Sequence, residues 1–83
     1  MSLLNQTNPI DSFMQCSRQF LASPNLLNGL ALDDAVIALK RHAHLQLNND
    51  ELAATLGELP PLIRNLDVAA LRPLFERVER LLA

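Results

Sequence analysis

The chain has one cysteine, no tryptophan and no tyrosine, and aromatic residues make up only 4% of it. A lone thiol has no partner within the chain, so a disulfide-stapled scaffold is excluded. Two glycines cannot build a phosphate-cradling loop or a dinucleotide fingerprint. The longest apolar runs are a few residues, far short of a bilayer span. No charged segment leads into an apolar stretch, so no secretory leader is expected. Charged residues are scarce at 19%, with seven basic against nine acidic side chains and a net charge of −2. A disordered chain would be more charged and less apolar than the 49% seen here. These exclusions leave a compact helical domain, expected in the cytoplasm.

What is present is leucine, with alanine, isoleucine and valine. Eighty-three residues allow one small domain, expected over residues 8–83 behind a flexible N-terminus, 1–7. A chain this short buries roughly 60–65% of the surface its unfolded form exposes, so its core is marginal. Disulfides and large aromatics cannot reinforce it. Association is the remaining route, and the leucine inventory is more than one copy is expected to shelter.

Hydrophobic periodicity predicts an all-α fold of four to five short helices in a small bundle or orthogonal array, with no sheet. The first helix opens at Asn8-Pro9, an N-cap followed by proline at the first helical position. Ile10, Phe13, Met14, Phe20 and Leu21 then recur at helical spacing until Ser23-Pro24. Residues 24–32 read as a leucine-rich connector packed on the bundle, with at most one helical turn and a bend at Gly29. A second helix is expected from Asp33. Its first-turn acids, Asp33 and Asp34, and its terminal Lys40, Arg41, His42 and His44 complement the helix dipole. Leu32 would staple onto Ile37, and Val36, Leu39 and Ala43 would face inward. Asn48 and Glu51 have capping-box spacing before a short third helix, whose Leu52, Ala53 and Leu56 face inward and which ends at a left-handed Gly57. Pro60-Pro61 opens another short helix, Pro61 to Leu66. Asp67 caps the last, where Pro73 suggests a restart at Arg72. Arg72 with Glu76 and Glu76 with Arg80 are spaced to pair on its outer face.

No constellation supplies catalysis, a cofactor site or a metal. His42 and His44 are about 200° apart on a helix, so both cannot meet one ion while the helix continues. No helix N-terminus or histidine is placed beside Cys16 in sequence to activate its thiol, which makes it filler on the first helix. Asp33-Asp34 and Asn49-Asp50-Glu51 are accounted for as helix-start residues.

The string Asp50-Glu51-Leu52-Ala53-Ala54-Thr55-Leu56-Gly57 resembles the first helix and turn of the bacterial helix-turn-helix family. The resemblance implies that Pro60 to Leu66 would be the DNA reader, with Arg64 and Asn65 available to bases or phosphate. Glu58 stands where that family places a buried apolar residue, and two prolines open the reader. One cation there, on a net-negative chain, is poor equipment for phosphate neutralisation. A small transcription regulator using residues 50–66 is therefore the second expectation.

The first is a noncatalytic protein-interaction module, an adaptor, assembly factor or antagonist that pairs with itself as a homodimer or with another protein's helix. Leu71, Leu74, Phe75, Val78, Leu81 and Leu82 form the cleanest stripe in the chain. Its narrow spacing suits a helix-pairing seam flanked by charges. With Phe13 and Phe20 beside it, this stripe is the expected association surface. Neither nucleic acid nor membrane is expected as a partner.

Overall fold

A computed structural model describes residues 8–83; the flexible terminus expected over 1–7 lies outside them. The described residues form five α-helices and one π-helical turn, with no strand. Their order is α1 (Pro9–Ala22), α2 (Leu26–His42), the π turn (Ala43–Leu47), α3 (Asp50–Gly57), α4 (Leu59–Arg64) and α5 (Val68–Leu82). The fold is a small all-α bundle.

Helix starts follow side-chain capping. Asn8 Oδ1 accepts from the Ile10 amide at 2.8 Å, with Pro9 in the first turn of α1. Asp67 Oδ1 accepts from the Ala70 amide at 3.2 Å and opens α5. At α3 the cap is Asn49, which accepts from the Leu52 amide at 3.0 Å. Asn48, expected in that role, instead takes the left-handed conformation (φ 50°) that ends the π turn, a conformation asparagine tolerates better than most residues.

The largest departure from expectation is α2. Asn25 caps it, accepting from the Asn28 amide at 2.8 Å, so the helix begins at Leu26 and absorbs most of the expected connector. The Asn28 side-chain amide donates to the Ser23 carbonyl at 2.9 Å and ties the new helix to the end of α1. Gly29 is no bend. It is a buried helical residue, and a Cβ there would lie 3.4 Å from Ile63 Cγ2 and 3.6 Å from Phe20 Cε1. Phe20 of α1 and Ile63 of α4 thus lie close to the α2 backbone, with room for a methyl group but for no larger side chain. Asp33 and Asp34 consequently sit in mid-helix, away from the dipole's positive end. Leu32 is buried while Ile37 is 57% exposed, so the expected staple between them does not form.

Gly57 has no positive φ. The chain passes from α3 into α4 through Glu58, itself in the right-handed helical region, without the reversal that a left-handed stop would give. The left-handed residue comes later. Leu66 (φ 54°) follows α4, donating from its amide to the Ile63 carbonyl while Asp67 donates to that of Leu62. These two bonds make a Schellman closure with leucine where glycine is usual.

Helix α5 runs unbroken through Pro73, so no restart occurs at Arg72. Proline removes the bond to the Ala69 carbonyl, four residues earlier. Ala69 and Pro73 are both exposed, and water can serve that carbonyl. The expected pairs of Glu76 with Arg72 and Arg80 are not among the ion pairs of the described residues. Arg77 instead reaches Glu51 of α3, with Nη2 to Oε2 at 3.1 Å.

Candidate functional site

Each helix contributes an inward stripe to one core, built on Phe13, Phe20, Leu32, Leu39, Leu56 and Leu71 among others. Most of the expected association surface lies inside it. Phe13, Phe20, Leu71 and Val78 are fully buried, and Phe75 nearly so. The Phe13 and Phe75 rings meet edge to face, with centroids 5.9 Å apart and planes at 79°. Leu74, Leu81 and Leu82 are half-buried against the same core. The narrow α5 stripe therefore closes the chain's own bundle, because α3 and α4 already pack across it. Leu71, Phe75 and Val78 are consumed in this way, and only Leu74, Leu81 and Leu82 keep part of their surface in solvent.

The unsheltered leucines are elsewhere. Leu26 is 71% exposed, Leu27 76%, Leu30 64% and Ile37 57%, all on α2, and Leu45 in the following π turn is 71% exposed. The opposite side of α2 carries buried Gly29, Leu32, Ala35, Val36 and Leu39. This helix is thus apolar on two sides, one against the core and one toward solvent. Scattered exposed leucines are ordinary on a protein surface, but a row along one helix is a contiguous apolar patch that calls for an explanation.

The N-terminal half of the face borders a cleft between α2 and α4, lined by Leu26, Gly29, Leu30, Asp33, Ile63 and Arg64. At about 170 Å³ it is smaller than the roughly 300–1,000 Å³ of a small-molecule site. An apolar space of roughly 150 Å³ holds a benzene-sized group, so the cleft can take one side chain of a partner. Asp33 Oδ1 is buried and has no hydrogen-bond partner among the described residues, so it is available to a donor from a partner. The C-terminal half is a shallow depression formed by Ile37, Lys40, Arg41, His44 and Leu45. His44 Nδ1 lies 3.9 Å from Asp50 Oδ1, and both side chains are well exposed, so this contact contributes little.

The other candidates are soon placed. Cys16 is half-buried at the edge of the core. Among the described residues no three His, Cys, Asp or Glu side chains gather as a metal-ligand set, and no helix is long and apolar enough to cross a membrane. A helix-turn-helix joins its helices by a turn of about 3–4 residues and lays the second in the major groove. Here Glu58 alone separates α3 from α4. The would-be reader has six residues, with Leu59 and Ile63 buried, and it lodges between α2 and α5. Arg64 and Asn65 are exposed, but the geometry around them is not that of the family.

The α2 face is not visible in the sequence as long as Gly29 is taken for a bend. With the helix extended back to Leu26, the spacing of Leu26, Leu30 and Ile37 was the signal that could have shown it. Comparison with models of known protein families, with curated proteins and with solved structures finds no match for this chain.

Proposed function

We propose that this chain is a noncatalytic protein-interaction module, an adaptor, assembly factor or antagonist, whose working surface is the solvent-facing side of α2. One observation carries the reading. The core is completed by other residues, yet Leu26, Leu27, Leu30 and Ile37 remain largely exposed on a single helix. Keeping such a row in water is unfavourable, by about 25 cal/mol for each Å² of apolar surface that a partner could cover. The partner fitted to it is a helix with an apolar stripe, from a second copy or another protein. The compartment proposed is the cytoplasm, where a lone thiol such as Cys16 stays reduced. Catalysis, nucleic acid and membrane form no part of the proposal.

A photoreactive benzophenone amino acid placed at Leu30 in the source cell tests this surface. The expected result is one or a few covalent adducts of discrete mass from position 30 and none from Glu76, exposed on α5. Equal labelling from both positions, or none from position 30, would refute the reading.

A further inference from the structure

We infer that the α2 face pairs with the same face of a second copy, antiparallel, in a register set by Asp34 and Arg41. This rests on α2 being the interaction surface and names its occupant. Leu27, Leu30, Asp34, Ile37 and Arg41 follow one another at alternating steps of three and four residues, the spacing of a helix-pairing seam. All five are exposed. The π turn widens the helix just beyond, and Leu45 comes to lie beside Ile37 and Arg41 in one depression, so the stripe continues past the end of α2.

Two charged residues interrupt this apolar row, one of each sign. They lie seven positions apart, about 10.5 Å along the axis, and neither has an ion-pair partner among the described residues. A parallel pairing would set Asp34 against Asp34 and Arg41 against Arg41, an unfavourable meeting of like charges. An antiparallel pairing sets Asp34 against Arg41 of the partner subunit, and two-fold symmetry forms the same contact again at the other end. In that register Leu30 faces Leu45 of the partner subunit. Ile37 lies beside the two-fold axis and meets Ile37 of the partner subunit there. The charges that look misplaced on a greasy face are complementary once the face meets its own copy.

Sedimentation equilibrium of the full chain tests the inference. The expected result is a monomer–dimer equilibrium in the micromolar range. Asp34→Arg and Arg41→Asp should each weaken it about tenfold or more by creating two like-charge contacts. The double variant Asp34→Arg/Arg41→Asp should return close to the starting affinity. Both positions are exposed, so circular dichroism should confirm that every variant stays folded. A second measurement fixes the orientation. On a Cys16→Ser background, Asp34→Cys mixed with Arg41→Cys should give the mixed disulfide faster than either variant alone gives its own.

A chain that remains monomeric at millimolar concentration overturns the inference. A dimer indifferent to both single charge reversals does so too, as does faster self-linkage of Asp34→Cys. Discrete photo-adducts at Leu30 from a monomeric chain would defeat self-pairing and leave the α2 surface standing. Absence of adducts would defeat both.

Discussion

Replacing Gly29 by alanine separates two accounts of the chain between α1 and the middle of α2. If Gly29 served a bend or a left-handed turn, a Cβ would strain the backbone and destabilise the fold. In the structure it is a right-handed helical residue, and alanine is favoured over glycine in a helix interior by about 0.8–1 kcal/mol. The added methyl would meet Ile63 Cγ2 at 3.4 Å and Phe20 Cε1 at 3.6 Å, close to the roughly 3.5–4.0 Å optimum for carbon atoms. Little of the helix gain should be lost to crowding. Gly29→Ala is expected to stabilise the domain by about 0.5–1 kcal/mol. Gly29→Val, with two further carbons driven against Ile63 and Phe20, should destabilise it by about 1–3 kcal/mol. Urea unfolding followed by far-ultraviolet circular dichroism reads both. With a slope of about 1 kcal/mol/M for so small a domain, the alanine midpoint should rise by about 0.5–1 M. Chain concentration must be held constant, because association adds to apparent stability. A lower midpoint for Gly29→Ala would refute the account of Gly29 as a right-handed helical residue with room for one methyl group.

Two further substitutions test other parts of the fold. Val78→Asp should cost several kcal/mol by placing a charge in the core, and helicity should fall at every chain concentration; a folded variant altered only in association would return the α5 stripe to the surface. Leu66→Gly should raise the thermal midpoint, because a leucine at φ 54° costs about 1–2 kcal/mol, part of it offset by glycine's greater unfolded-state entropy; a midpoint that falls would mean the Leu66 side chain contributes more by packing than its backbone loses.

What could be read in the residues was local and periodic. The Asn8-Pro9 start, the Asp67 cap and the inward sets Val36-Leu39-Ala43 and Leu52-Ala53-Leu56 each depend on neighbours within a turn or two, and the fold class follows from their spacing. Gly29 and Pro73 misled because their local preferences were overruled from a distance. Phe20 and Ile63 make a small residue useful inside α2, and exposure of Ala69 lets α5 continue over a proline. The α5 stripe was visible as a stripe, but periodicity reports that a face is covered, not what covers it. Only the arrangement of α1, α3 and α4 decides that Leu71, Phe75 and Val78 turn toward their own chain. The α2 surface stays hidden in the sequence because a glycine at position 29 reads locally as a bend, which makes Leu26, Leu27 and Leu30 part of a connector.

Because α2 carries apolar residues on two opposite sides, water alone gives little instruction about which way the rod should roll. Gly29 and Ala35 alternate with Leu32, Val36 and Leu39 on the buried flank and let neighbouring helices come close there, whereas Leu26, Leu27 and Leu30 crowd the other flank with no small residue among them. The same bulk that keeps those leucines out of the bundle leaves them standing ready for whatever arrives.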